Sequence, residues 1–192
     1  MKKPIEHLSR PVNPTPAGLV TSVDEDGRPN IITLGEIFNI SIFKPLIMGI
    51  ALRPATYSNE LIKRTGEFVI NLATADMVEK VDRCGLVSGR NGFDKFAMTS
   101  LTPLKASVVK PPLIAECPVN LECKVLSVQS VGDHDLFLGE VVASHADEEV
   151  LDEKGHLDFE KTGLLVYMTG SYWTLGKKLA DFGFSHKIKG AH

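Results

Sequence analysis

Short apolar runs separated by turn residues constrain the fold of this chain more than any other feature. Residues 17–23 and 29–34 are two such runs, and turn residues lie between them, which predicts a β-hairpin. Because turns, and not helical crossovers, join most of the apolar runs, the order favours an antiparallel barrel over a doubly wound parallel sheet. Further strands are predicted over residues 46–52, 67–72, 119–131, 136–146 and 163–169.

Two short helices are expected between these strands. Residues 54–66 carry apolar side chains at helical spacing and end at Gly66, a typical helix stop. Thr74 is predicted to cap a second helix that runs to Gly85. The chain is therefore mainly β, with few helices.

One of the long strands is expected to be irregular. Within residues 119–131 the apolar residues alternate as far as Val125 and then change phase at Leu126. A change of phase moves side chains to the other face of a strand unless one extra residue is inserted. The pattern predicts a β-bulge at this point.

Composition excludes several classes of protein. The chain has 192 residues, 43% hydrophobic and 23% charged, which is typical of one folded domain, here taken as residues 1–192. The net charge of −3 provides no general attraction for nucleic acid or an anionic membrane. The N-terminus lacks the pattern of a signal peptide, and no apolar run has membrane-spanning length. Three cysteines without metal-ligand spacing agree with a cytoplasmic location.

Common catalytic motifs are also missing. The six histidines are scattered, so no metal site is predicted. The sequence contains no GxGxxG after a strand, no P-loop and no Gly-x-Ser-x-Gly elbow. Metal catalysis and acyl-transfer hydrolysis are therefore not expected.

Residues 84–96, Cys-Gly-Leu-Val-Ser-Gly-Arg-Asn-Gly-Phe-Asp-Lys-Phe, have the composition of a binding loop. Glycines allow the backbone to approach a ligand closely, and Arg90 and Lys95 are suitable partners for an anionic group. A surface turn without a ligand explains this segment about equally well when it is considered alone.

A second candidate anion site lies where the strand over residues 46–52 gives way to a helix. Free N–H groups at a helix start, together with Arg53, can hold a phosphate. The hydroxyls of Thr56 and Ser58 can donate to the same oxygens. The alternative is that one hydroxyl caps the helix while Arg53 points to water.

Two further segments can contact a cofactor that carries this phosphate. Residues 30–41 mix small, polar and apolar side chains, and a flat heteroaromatic ring can lie against residues 33–36, Thr-Leu-Gly-Glu, within them. An irregular loop explains residues 30–41 equally well. Gly132-Asp133-His134 is predicted to be a tight turn. His134 is either incidental to that turn or projects beside the cofactor, where it can contact a second ligand.

In this order, the segments resemble the flavin reductase-like, FMN-binding split-barrel family, and most closely its flavoredoxin branch. The likeness extends from Pro14-Thr15-Pro16 to Phe182-Gly183-Phe184. Its other carriers include Asn30-Ile31-Ile32-Thr33, Gly66-Glu67-Phe68-Val69-Ile70-Asn71, Ser88-Gly89-Arg90, Glu116-Cys117-Pro118-Val119-Asn120 and Tyr172-Trp173.

The resemblance implies a Greek-key, antiparallel split β-barrel that forms a homodimer, with one FMN per subunit near the interface. It also implies that His134 matches a histidine that lies near the nicotinamide in the reductases. The implied cofactor-binding residues are Thr33, Leu34, Gly35 and Glu36 for the ring, Arg53, Thr56, Tyr57 and Ser58 for the phosphate, and Asn71, Ser88, Gly89, Arg90 and Lys95 to complete the site.

The ring-binding segment departs from the family pattern. Where many reductases have Ser-Ser or Ala-Ser before a phenylalanine, this chain has Gly35-Glu36-Ile37. A carboxylate at position 36 would disfavour the anionic reduced flavin and lower its reduction potential.

The function expected from the resemblance is that of an NAD(P)H-dependent flavin reductase. NADH or NADPH would reduce bound FMN, which would pass electrons to free flavin, a ferric complex or a redox partner protein. One alternative is a flavoredoxin-type electron carrier with little nicotinamide activity, and another is a non-catalytic flavin-binding or storage module. The histidine of Gly132-Asp133-His134 favours the enzyme. No nucleic acid or membrane partner is expected.

Overall fold

The strands over Pro29–Leu34 and Ile37–Ser41 follow each other in sequence but lie at opposite edges of the same sheet. This is the main feature of a computed structural model that describes residues 1–7 and 9–187. The strands are β1 (Thr15–Pro16), β2 (Gly18–Val23), β3 (Pro29–Leu34), β4 (Ile37–Ser41), β5 (Ile47–Leu52), β6 (Glu67–Leu72), β7 (Pro103–Leu104), β8 (Leu113–Ile114), β9 (Val119–Val131), β10 (His134–Ala146), β11 (Leu165–Met168) and β12 (Ser171–Thr174).

Seven of these strands form one antiparallel sheet in the order β3-β2-β6-β9-β10-β5-β4. Only Gly35 and Glu36 separate β3 from β4, so the sheet must roll until its two edges approach each other. Ile37 of β4 lies against Gly18 of β2, where a Cβ would come within 2.4 Å of the Ile37 Cδ1. The expected antiparallel barrel is therefore confirmed.

Apolar side chains fill the barrel, and this packing provides most of the driving force for closing it. Phe68, Ile70 and Phe137 are fully buried there. Ile62 from the helix over Tyr57–Thr65 packs in the same cluster. A second cluster lies outside the barrel wall and seats the helix over Val78–Leu86 on strands β2 and β3.

The β9–β10 hairpin confirms the predicted bulge. Leu138 pairs with Ser127 and Gly139 pairs with Val125, so Leu126 is the extra residue on β9. A second register shift, at Val142 on β10, was not predicted. Gly132, with φ of +61°, makes the tight turn between the two strands.

Three α-helices are present in the described part of the chain: α1 (Tyr57–Thr65), α2 (Val78–Leu86) and α3 (Lys95–Thr99). Gly66 ends α1 in the left-handed conformation, as predicted. Thr74 occupies the N-cap position of the 3-10 turn before α2, as predicted in place, but its hydroxyl donates to the Asp76 carboxylate and makes no capping hydrogen bond. A 3-10 turn precedes α2, which continues past Gly85 to Leu86.

Helix α3 and several of the short strands were not predicted. Asp94 caps α3 by accepting from the Ala97 N–H, so the binding loop contains a helix start. Strand β4 occupies residues for which a loop had been an equal alternative. Among the residues that the structure describes, no helix is long and apolar enough to cross a membrane.

Candidate functional site

A cavity of about 290 Å³ lies where β5 gives way to α1 and faces the C-terminal end of α2. Seven of the predicted cofactor-binding residues line it: Arg53, Thr56, Tyr57, Ser58, Ser88, Gly89 and Lys95. The structure therefore brings the two candidate anion-binding segments to one place, although about 30 residues separate them in sequence. We call this space the main cavity.

The start of α1 forms one wall of the main cavity. The Thr56 hydroxyl donates to the Arg53 carbonyl oxygen at 2.9 Å and accepts from the Asn59 N–H at 3.4 Å, so Thr56 caps the helix. The N–H groups of Tyr57 and Ser58 lie in the first turn, where no carbonyl oxygen of the helix can accept from them. With the exposed Arg53 side chain, they form a positively polarised helix start.

Asn30 lies beside this helix start and was not among the predicted site residues. Its amide group donates to the Ser58 hydroxyl at 2.8 Å, and both side chains are buried. The Asn30 Oδ1 atom has no hydrogen-bond partner among the described residues. A buried acceptor of this kind is costly unless a ligand or water donates to it. The available indication in the sequence was a polar residue directly before the apolar pair Ile31 and Ile32 of β3.

Lys95 crosses from the binding loop into the interior. Its side chain is 5% exposed, and Nζ donates to the carbonyl oxygens of Ile31 and Cys84, each at 2.7 Å. Burial lowers the pKa of Lys95, partly offset by the nearby Cys84. The ammonium therefore joins β3 to α2 while its side chain lines the main cavity.

The binding loop continues directly from α2 and forms another wall of the main cavity. The Ser88 hydroxyl accepts from the Arg90 N–H at 3.3 Å and starts a 3-10 turn over Gly89–Asn91. A Cβ at Gly89 would come within 2.2 Å of the Asn30 Oδ1. Any larger residue at this position would push the loop away from Asn30, so Gly89 keeps the cavity wall close.

Arg90 is placed differently from the other predicted residues. Its guanidinium pairs with Glu60 at 2.8 Å and lies 5.4 Å from the centre of the Tyr57 ring. It faces an adjoining hollow of about 450 Å³ and not the main cavity. Tyr57 and Gly89 contribute to both spaces.

Thr33, Leu34, Gly35 and Glu36 line a further hollow of about 170 Å³, which we call the ring hollow. It shares Gly85 with the main cavity. Arg10, Tyr167 and Tyr172 also line it and were not among the predicted site residues. Burial and a hydrogen bond to Asp82 raise the pKa of Tyr172 to about 12.

His134 lies outside the lining of these spaces but at the same end of the sheet as Arg53. Strand β10 pairs Asp135 with Leu52, so His134 and Arg53 are the next residues beyond that pair. The His134 Nδ1 is 2.8 Å from the Asp133 carboxylate. That contact and, more weakly, the charge of Arg53 lower the pKa of Asp133.

Asn71 is not brought to any of these spaces. It is fully buried in β6, where its amide donates to the Leu19 carbonyl oxygen at 3.0 Å. Its Oδ1 accepts from the Ile114 N–H and the Asn120 amide. These bonds use the polar atoms of Asn71 inside the protein, which accounts for a polar residue at a buried strand position.

Known proteins resemble this chain in sequence and in fold. Residues 9–176 match the model of the flavin reductase like domain. The fold is similar to that of flavoredoxin from Desulfovibrio vulgaris (Miyazaki F), with a TM-score of 0.88 and 30% identity over 97% of this chain and 100% of that one. Flavoredoxin from Methanosarcina acetivorans gives a TM-score of 0.84 and 29% identity, covering 97% and 98% of the two chains.

A curated relative adds a named activity. The NADH:riboflavin 5'-phosphate oxidoreductase of Streptomyces pristinaespiralis is 30% identical over 126 residues, which cover 65% of this chain and 67% of that protein. The family model spans most of the chain, and the neighbouring structures share its split-barrel fold. The chain belongs to the flavin reductase-like family.

Proposed function

We propose that this protein binds FMN across the main cavity and the ring hollow and acts as an NAD(P)H-dependent flavin reductase. The observation that carries the proposal is the arrangement of these two spaces. The main cavity contains a positively polarised helix start with Arg53, the ring hollow is lined by residues 33–36, and Gly85 lines both spaces. This arrangement suits a ligand with an anionic group at one end and a flat ring at the other.

The residues present fit such a ligand. Arg53 and the first-turn N–H groups of Tyr57 and Ser58 would hold the phosphate. The unpartnered Asn30 Oδ1 would accept a hydrogen bond from a hydroxyl of the ligand between phosphate and ring. Thr33, Leu34, Gly35 and Glu36 would contact the ring, with Ser88, Gly89 and Lys95 closing the wall.

Bound FMN would supply the redox chemistry, accepting hydride from a nicotinamide and releasing electrons to an acceptor. The protein would contribute binding, orientation and exclusion of water. His134, next to Arg53 at the end of β10, would help to dock the nicotinamide donor. The relative from Streptomyces pristinaespiralis, named for its use of NADH, supports a nicotinamide donor.

The main alternative is an electron carrier that exchanges electrons with other redox proteins. The similarity to two flavoredoxins over nearly the whole chain favours it. Both functions need the same flavin site, so they differ in whether the oxidised flavin is reduced directly by a nicotinamide. A storage module would bind FMN and do neither.

We also propose that the protein acts as a homodimer. β4 is an edge strand, and it carries or directly precedes four exposed apolar side chains: Phe38, Ile40, Ile42 and Phe43. A contiguous apolar surface of this kind is typical of an interface between protein chains. Sedimentation should show a dimer for the wild type and a monomer for Ile42→Glu/Phe43→Glu. A wild-type monomer at micromolar concentration would contradict the proposal.

The three cysteines in the structure are buried free thiols, which supports a reducing, cytoplasmic location.

The decisive experiment is anaerobic mixing of FMN-loaded protein with NADH and, separately, with NADPH. Rapid loss of the oxidised-flavin absorbance with one donor is expected, and it identifies that donor. Bound flavin that neither donor reduces would point to the electron carrier. Failure of the wild-type protein to bind FMN at all would overturn both functions.

A further inference from the structure

The N-terminal segment, residues 10–16, contributes a wall to the ring hollow. Its Arg10 forms an ion pair of 2.7 Å with Glu36 and lies 5.4 Å from the centre of the Tyr167 ring. Glu36 and Tyr167 both line the hollow, but they come from different parts of the fold, one after β3 and the other in β11. One side chain from outside the sheet therefore joins two walls of this hollow.

Several contacts hold Arg10 in place. Strand β1 pairs with β11, and the Thr15 hydroxyl donates to the Tyr167 carbonyl oxygen. The Asn13 amide contacts both the Arg10 carbonyl oxygen and the Thr169 hydroxyl. Arg10 itself has φ of +47°, a conformation unfavourable for a residue with a Cβ. The surrounding contacts must therefore favour this position enough to offset the backbone cost.

Arg10 changes the electrostatic effect that the Glu36 carboxylate is expected to have on a bound flavin. A lone carboxylate beside the ring would repel a reduced flavin carrying a negative charge. In the structure the two side chains are partly shielded from solvent, with 43% of Arg10 and 27% of Glu36 exposed. An ion pair in such a place is screened less than a fully exposed one, so the guanidinium cancels much of the field of the carboxylate.

We infer that Arg10 is a positioning residue of the flavin site, which acts through Glu36 to keep the ring hollow near neutral charge. The inference rests on the proposed binding of FMN. Reduction of bound FMN takes up two electrons and one proton and leaves the reduced flavin as an anion. Loss of Arg10 exposes the charge of Glu36 and weakens binding of that anion more than binding of the neutral-ring oxidised form.

The expected effect follows from the ratio of the two affinities. We expect Arg10→Gln to weaken binding of reduced FMN about tenfold relative to oxidised FMN. For a two-electron couple, this ratio corresponds to a midpoint potential lower by about 30 mV. Glu36→Gln removes the repelling carboxylate itself. The midpoint potential of FMN in this variant should therefore equal or exceed that in the wild type. The double variant removes both charges of the pair, so its midpoint potential should match that of the wild type and not that of Arg10→Gln.

The test measures the dissociation constant of FMN by fluorescence and the midpoint potential by anaerobic dithionite titration against a reference dye. Arg83→Gln is the matched control, because Arg83 forms a similar ion pair with Glu79 on α2 but lines none of the three spaces. It should leave both quantities unchanged. Arg10→Lys keeps the charge and should stay near the wild-type potential, which preserves the test if Arg10→Gln does not fold.

The outcomes separate this inference from the proposed function. The inference would be overturned if the affinity for reduced FMN relative to oxidised FMN, obtained from the midpoint potential, differed less than twofold between Arg10→Gln and the wild type. FMN binding itself would then be intact. A double variant as low as Arg10→Gln would also overturn it, because the effect would then not pass through Glu36. Wild-type protein that binds no FMN would overturn the proposed function itself.

Discussion

Lys95 donates a hydrogen bond of 2.7 Å from its buried ammonium to the carbonyl oxygen of Cys84, in the last turn of α2. A second bond of equal length goes to Ile31 in β3. The same residue thus supports the binding loop, the helix before it and the strand beneath it. Its cationic group was expected to face a phosphate, and the structure shows that two of its donors serve the protein itself.

Lys95→Met should lower both stability and FMN affinity. The substitution leaves two buried carbonyl oxygens without a donor, each worth about 1–3 kcal/mol when unsatisfied. Denaturant unfolding of the apoprotein measures the first effect and fluorescence titration the second. Lys80→Met is a suitable control, since Lys80 bonds to the Ser100 carbonyl oxygen at an exposed site. Unchanged stability would show that other groups satisfy these carbonyls.

Arg53→Ala should weaken FMN binding while leaving the apoprotein folded. Arg53 is exposed, and loss of a charge-assisted hydrogen bond to phosphate should cost about 1.5–3 kcal/mol of binding free energy. Riboflavin, which lacks the phosphate, should bind the variant and the wild type equally well. If FMN affinity stays within a few-fold of wild type, Arg53 does not contact the phosphate.

His134→Ala should slow reduction by the nicotinamide donor and leave FMN affinity unchanged, because His134 lies outside the main cavity but next to Arg53. Stopped-flow absorbance under anaerobic conditions measures the rate. His156→Ala is the control, since His156 is exposed and pairs with Asp152 in a distant turn. Equal reduction rates for His134→Ala and wild type would remove His134 from the reaction.

Glu122 should make the protein sensitive to acid. Burial opposes its ionised form, but hydrogen bonds from Ser107, His145 and Val108 outweigh it and lower the pKa of Glu122 from 4.5 to about 2. A lowered carboxyl pKa stabilises the folded state fully above pH 4.5, and this stability is lost as the pH falls towards about 2. Glu122→Gln should therefore be less stable at pH 7, by about 1–3 kcal/mol.

Urea unfolding at a series of pH values measures this effect. The free energy of unfolding should fall less steeply with acid in Glu122→Gln than in the wild type. Parallel curves for the two proteins would show that another group controls the acid transition.

Asn71→Ala should reduce stability without a direct effect on FMN. The Asn71 amide bridges β2, β6 and the segment before β9, so its loss leaves buried partners unpaired, at about 1–3 kcal/mol each. At a temperature where the variant is fully folded, its FMN dissociation constant should stay within a few-fold of wild type. A large loss of affinity in the folded variant would return Asn71 to the cofactor site.

Several parts of the fold followed from local sequence patterns. The β2–β3 hairpin, the end of α1 at Gly66 and the bulge at Leu126 each depend on residues that are neighbours in the chain, so their patterns are visible without a structure. Strand β4 could not be predicted in this way. Its side chains from Phe38 to Ile40 are all exposed, so it lacks the alternation that marks a half-buried strand.

For the site, the sequence by itself determined which segments carry suitable groups, because Arg53 after a strand and the glycines of residues 84–96 are local features. Only the tertiary structure decided how these groups are used. It joined Asn30 to Ser58, directed Lys95 to two carbonyl oxygens, placed Asn71 in the interior and paired Arg10 with Glu36. These relationships join residues far apart in sequence, so they exist only after the barrel has closed.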